Sequence, residues 1–138
     1  MNPQELMKEF LAARTGIEVT PGLRCIGRAK NGALVAVVGF NNYTGTAMEV
    51  HVAAAGSYWG NRALLRAAFD YPFNVCNCKL LFCSIPSGNT AALKLGKHLG
   101  FETQTVIEDA HPDGALHIMV MRRENCRWLQ KESNYGKE

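Results

Sequence analysis

Between Ala47 and Leu65 the sequence runs from a valine-bearing stretch, Ala47–Ala53, through Gly56-Ser57-Tyr58-Trp59-Gly60-Asn61 into Arg62. A buried strand that enters a glycine-bearing turn and then a helix leaves several backbone N–H groups without intrahelical partners. Those donors and the helix dipole suit a phosphate or pyrophosphate, and Arg62 in the first turn adds a charge-assisted contact. Two glycines fit an ordinary strand-to-helix connection equally well, and the segment is neither a P-loop nor a G-x-G-x-x-G fingerprint. Glu49 and His51 lie two residues apart in the strand, so their side chains share one face. A carboxylate beside an imidazole can move a proton near neutral pH. The same alternation can instead aim that face at a packed helix. Glu49 is then a half-exposed strand carboxylate and His51 a hydrogen-bonded core histidine.

Other reactive side chains carry less. The five cysteines, Cys25, Cys76, Cys78, Cys83 and Cys126, are odd in number, and residues 1–14 interrupt their apolar pattern with Glu5, Lys8 and Glu9. Both features predict reduced thiols in a cytoplasmic protein without a secretory leader. Cys76-Asn77-Cys78 is tighter than the Cys-x-x-Cys spacing of zinc and redox sites, so no metal is expected. Cys83 reads as a small core residue. His98 and the lysines Lys94 and Lys97 fit a solvated helix face, His111 lies in a turn, and His117 reads as an edge position.

The elements that must hold these groups are legible in outline. Asn2, Pro3 and Glu5 form a capping box for a first helix that Gly16 ends. Arg24–Lys30 and Ala33–Phe40 read as strands joined by the hairpin signal Asn31-Gly32. Ala47–Ala53 is a third strand, Arg62–Phe69 a helix with one apolar stripe, and Lys79–Ile85 a fourth strand. Asn89 caps a helix over Thr90–Leu99 that Gly100 terminates. Phe101–Glu108 and Leu116–Met121 are strands around the turn His111–Gly114. The order α-β-β-β-α-β-α-β-β predicts an α/β fold with a mixed central sheet flanked by helices.

With 138 residues the chain suits a single domain, and 47% hydrophobic against 20% charged residues is enough for a buried core. A net charge of +3 without a run of five like charges argues against a nucleic-acid-binding surface. Residues 31–48 are uncharged but broken by Gly32, Gly39, Asn41, Asn42 and Gly45, so they read as strands and no membrane span is expected.

The stretch Asn89-Thr-Ala-Ala92-Leu-Lys-Leu95-Gly-Lys-His-Leu99-Gly100-Phe101 resembles the N-x-x-A-x-x-L…G-F signature of the GNAT acetyltransferase superfamily. The resemblance extends over residues 5–122, leaving 123–138 as a tail, and short acetyltransferases of phage genomes are similar in Tyr71-Pro72-Phe73 and Cys126-Arg127-Trp128-Leu129. It implies an acyl-CoA N-acyltransferase fold, splayed between the strands 47–53 and 79–85, with acetyl-coenzyme A as co-substrate. By the resemblance, N–H groups near Val52 and Ala53 take the pantetheine arm and polarise the thioester. Tyr58, Trp59, Gly60, Asn61, Arg62 and Ala63 fall on the pyrophosphate turn, and Asn89 on the pantetheine side. Tyr58 and Trp59 could pack on adenine or pantetheine, and Lys94 and Lys97 could reach phosphates.

The departures are specific. Gly56, Trp59 and Asn61 replace residues of the family's Gln/Arg-x-x-Gly-x-Gly/Ala loop. The Tyr that often serves as general acid falls at Gly96, and the carboxylate some members carry on the next strand falls at Ser84. His51, Glu49 and the Ser84 position are therefore the candidates for proton transfer, and a strand bulge could turn the first two into the cleft. The expected acceptor is a small-molecule or protein amine, and the expected assembly a monomer or homodimer. The competing class is a non-catalytic acyl-CoA- or protein-binding module that keeps the fold.

Overall fold

Local signals set the first half of the chain. Residues 2–56 and 61–129 are described by a computed structural model. Asn2 accepts the Glu5 amide at 2.9 Å, Pro3 opens α1 (Pro3–Thr15), and Gly16, at φ 73°, closes it. β1 (Arg24–Lys30) and β2 (Ala33–Asn41) meet through Asn31-Gly32, both left-handed at φ 54° and 81°, as a type I′ turn requires. β3 (Ala47–Ala54) leads to α2 (Arg62–Asp70), capped by Asn61, whose Oδ1 accepts the Leu64 amide at 2.7 Å. The sequence does not announce the next feature, a π-helical turn at Tyr71–Val75. Pro72 has no amide to donate, and the Cys76 amide reaches back to Tyr71 O at 3.0 Å.

β4 (Leu80–Pro86), α3 (Thr90–Leu99) and the hairpin β5 (Glu102–His111) and β6 (Gly114–Arg122) complete the chain, followed by a 3-10 turn at Arg123–Asn125. The six strands run β1-β2-β3-β4-β6-β5, with β3 and β4 parallel and every other pair antiparallel. The mixed sheet flanked by helices agrees with the sequence reading. The last hairpin is longer than expected, because His111 pairs with Gly114 and only Pro112-Asp113 is left at the tip. β6 also folds inward to pair with β4 along Leu80–Pro86. His117 is therefore interior to the sheet and not at its edge; β5 is the edge.

Alternation along β3 divides the core in two. Met48 and Val50 pack with Phe40, Leu81, Ile85, Phe73, Met119 and Met121 beneath α2 and α3, which add Leu65, Phe69 and Leu99. On the other face Ala53 packs with Val37, Leu23 and Cys25 under Leu11 of α1. Gly39 lets α1 approach, since a Cβ there would lie 2.3 Å from Leu11 Cδ2. The tail folds back: Trp128 donates to Leu99 O at 2.8 Å and stacks on Phe69, while Arg127 donates to His98 O. These contacts place a cation and a donor on the orphan carbonyls at the C-terminal end of α3.

No helix among the described residues is long and apolar enough to cross a membrane. Among the same residues no three His, Cys, Asp or Glu side chains converge as metal ligands. All five cysteines are free, with Cys25 and Cys78 buried. Alkylation under denaturing, non-reducing conditions is expected to modify all five thiols by mass. Two protected thiols would contradict the expectation of a reducing compartment.

Candidate functional site

The site begins where β3 and β4 part. Ala55 donates its amide to Val35 O at 2.8 Å, and the β2–β3 register continues in steps of two through Ala53↔Val37, His51↔Gly39 and Glu49↔Asn41. These are the hydrogen-bonded pairs of the ladder, so the backbone of Val52 is directed away from β2, toward β4. β4 accompanies β3 only from Leu80 to Phe82, opposite Ala47 to Glu49. Beyond Glu49 the strands diverge, and the Val52 amide faces the gap. Ala53 does not: its amide belongs to the ladder with Val37, and its side chain is buried under α1. The expectation that Val52 and Ala53 both offer N–H groups is corrected to Val52 alone.

The gap is a cleft of about 370 Å³. It opens through the sheet, so its two ends differ. On the α2/α3 face it is lined by Val50, Val52, Ile85, Ala92, Leu95 and Leu99; on the α1 face, by Arg14, Thr15, His51 and Ser84. Ser84 falls on the α1 face because Phe82, two residues before it, pairs with Glu49. Asn89 also lines the cleft, and its Oδ1 caps α3 by accepting the Ala92 amide at 3.2 Å. Gly96 forms part of the floor, where a side chain would start 3.1 Å from Met119 Sδ and 3.7 Å from Ile85 Cδ1. A tyrosine there would require Met119 to shift.

His51 reaches the cleft without a bulge, since the β2–β3 register runs without a shift. Its face is the one α1 covers, but α1 ends at Thr15, and His51 lines the cleft there, as do Arg14 and Ser84. His51 Nε2 lies 2.9 Å from Asn41 Oδ1, so it donates, and the lone pair is left on Nδ1. Glu49 Oε2 stands 3.9 Å from the same Nε2, while its Oε1 accepts from Asn42 at 2.8 Å. Glu49 does not line the cleft; it stands behind the imidazole. Burial pulls the His51 pKa below its ordinary value of 6.5, with the Glu49 charge opposing the shift. The imidazole is therefore neutral at pH 7 and available as a base.

The depressed pKa also affects stability. The unfolded side chain binds its proton first as pH falls, so stability is intact above 6.5 and declines below it, toward the folded value. Urea titrations from pH 8 to pH 5 are expected to show a shallower acid decline for His51→Gln than for the native protein. Equal slopes would place the titration elsewhere.

The remaining predicted residues fall as follows. Arg62 and Ala63 are exposed on the first turn of α2, and Asn61 is its cap, so the Asn61 side chain already occupies one helix-terminal amide. Tyr58, Trp59 and Gly60 lie outside the described residues. Cys83 lines the cleft, but burial, helped by the Glu49 charge, pushes its thiol up to about 12. It stays protonated and is no nucleophile. Lys94, Lys97 and His98 are exposed on α3, and neither they nor His117 line the cleft. Sequence reasoning missed Arg14, Thr15 and Asn41. Arg14 reads as a favourable charge in the last turn of a helix, and Asn41 as the polar end of a strand; only the packing of α1 brings Arg14 to the cleft, and only the β2–β3 register brings Asn41 to His51.

A mixed sheet whose central parallel pair splays beside a helix N-terminus defines the acyl-CoA N-acyltransferase class of fold. The acetyltransferase (GNAT) family model matches residues 2–101, and the chain belongs to that family. A search of curated proteins gives no match. Among solved structures, a spermidine N-acetyltransferase SpeG chimera from Vibrio cholerae and hSSAT is similar at TM-score 0.61 and 19% identity, over 75% of this chain and 68% of its own. Campylobacter jejuni N-acetyltransferase PseH in complex with acetyl coenzyme A is similar at TM-score 0.59 and 18% identity, over 75% and 70%. The structure of yncA from Salmonella typhimurium, with its cofactor acetyl-CoA, gives TM-score 0.60 and 20% identity over 73% and 65%. At these identities the likeness is one of fold.

Proposed function

We propose that this protein transfers an acetyl group from acetyl-coenzyme A to an amine within a ternary complex. The observation that carries the reading is the Val52 amide, left without a strand partner over an apolar cleft by the splay of β3 and β4. An unpaired donor aimed at a groove of this kind fits a thioester and its amide-bearing arm. Two fold neighbours whose structures contain acetyl-CoA support the choice of donor. When bound, acetyl-coenzyme A supplies an activated acetyl thioester. The acceptor nitrogen bonds to the carbonyl carbon, the C–S bond breaks with its electron pair leaving on sulfur, and a proton moves from nitrogen to the thiolate.

In this reading the chain's residues act by orientation and proton handling. Val52 N–H polarises the carbonyl, and Asn89 with the wall of Val50, Leu95 and Leu99 holds the pantetheine arm. The start of α2, with Asn61, Arg62 and Ala63, and the segment 57–60 before it take the pyrophosphate. His51, neutral and with Nδ1 free, accepts the proton of the ammonium acceptor directly or through water. Gly96 and Ser84, in place of a tyrosine and a carboxylate, favour the alternative of a module that binds acyl-CoA without efficient transfer.

Two measurements separate these. Acetyl-coenzyme A at a hundred times its dissociation constant is expected to stabilise the protein by about 2.7 kcal/mol; no stabilisation removes both readings. Turnover with any primary amine then selects the enzyme. Arg62→Ala is expected to weaken acetyl-coenzyme A binding about two- to fivefold, more at low salt, as for an exposed charge pair. Unchanged affinity would remove Arg62 from the pyrophosphate site.

A further inference from the structure

The two ends of the cleft differ in charge as well as in polarity. Arg14 is the one charged side chain lining it among the described residues, and no carboxylate lines it. The guanidinium lies 3.7 Å from the centroid of the Phe10 ring. Stacking occupies the face of the guanidinium and leaves its in-plane N–H donors for an anion. Among the described residues no carboxylate forms an ion pair with Arg14. Glu49, the nearest carboxylate to His51, is held by Asn42 and stands behind the ring.

Position assigns Arg14 to the acceptor. The start of α2 and the apolar wall lie on one face of the sheet, and Arg14, His51 and Ser84 on the other. In the acetyl-transfer reading the thioester is held from the α2 side, which leaves the α1 side of the cleft to the amine. Arg14 lines that side of the cleft, as does His51, the group that takes the proton. We propose that the acceptor is a small amine carrying an anionic group, a carboxylate or a phosphate, and that Arg14 binds that group while His51 deprotonates the amine. This specificity rests on the acetyl-transfer reading. It is opposite to what a polycation such as spermidine, the substrate named for several fold neighbours, would need. A polyamine would meet a cation at the acceptor mouth and no carboxylate lining it.

The test measures binding to the protein loaded with desulfo-acetyl-coenzyme A, so it does not depend on turnover. Calorimetry would compare glycine, β-alanine and γ-aminobutyrate with their amides, and add phosphoethanolamine, ethanolamine and spermidine. At least one anionic amine is expected to bind about ten- to a hundredfold more tightly than its neutral partner, the range of charge-assisted hydrogen bonds. Whether the best ligand carries carboxylate or phosphate identifies the source of the anion. In Arg14→Gln the ratio is expected to fall toward one, whereas Lys8→Gln, on α1 outside the cleft, keeps it. Equal binding within every pair, tighter binding of spermidine, or a ratio unchanged in Arg14→Gln overturns the proposal. Loss of coenzyme affinity in Arg14→Gln would also overturn it, by reassigning Arg14 to the cofactor. Failure of the native protein to bind acetyl-coenzyme A brings down the acetyl-transfer reading instead.

Discussion

His51→Gln is expected to lower turnover about 10²–10⁴-fold, the usual contribution of a positioned general base. Affinity for acetyl-coenzyme A should stay close to native, because the Val52 amide and the start of α2 are untouched. The substitution keeps size and polarity and can still donate to Asn41 Oδ1, now 2.9 Å from Nε2. What it removes is the lone pair on Nδ1. Glu49→Gln gives the sign of the coupling. The Glu49 charge raises the His51 pKa against the larger effect of burial, so its neutralisation should move the acidic limb of the rate profile to lower pH. Asn41→Ala should lower turnover by freeing the tautomer while leaving coenzyme binding intact. Full activity in His51→Gln, with circular dichroism unchanged, would show that the acceptor arrives neutral or that water alone removes its proton.

Phe73→Ala is expected to cost about 3–5 kcal/mol of stability, the range for truncating a buried phenylalanine. Phe73 is fully buried, in the π-helical turn after α2, and belongs to the core that unites β3, β4 and β6 beneath α2 and α3. Its carbonyl also receives Arg123, which ties the turn to the end of β6. The expected fall in melting temperature is roughly 10–20 °C for a domain of this size. Val75, two residues on and 64% exposed, is the control, and Val75→Ala should change stability by less than about 0.5 kcal/mol. Urea unfolding of both variants checks the contrast. Similar losses in the two would mean that backbone strain in the turn, not core packing, decides its stability.

Local chemistry determined much of this protein from the sequence alone. Asn2-Pro3 and Gly16 bound α1, Asn31-Gly32 forms the first hairpin, and Asn61 and Asn89 stand at the starts of α2 and α3, though the sequence reading gave the capping role only to Asn89. Each signal acts within a few residues, where the side chain or backbone conformation alone satisfies a nearby amide or sets a turn. The Asn89–Phe101 motif added the family, because its capping, helix and terminating glycine are encoded together. The tertiary structure decided the rest. The parity of the β2–β3 ladder gives Val52 a free amide and takes it from Ala53, a difference two adjacent residues do not express. The end of α1 brings Arg14 and Thr15 into the same cleft as His51 across more than thirty positions of sequence, and the register sets Asn41 against the His51 ring. β6 pairs with β4 on one side and with β5 on the other, which leaves β5 as the edge. Pairing and packing between distant segments depend on the sum of many weak contacts, and no single residue carries that sum.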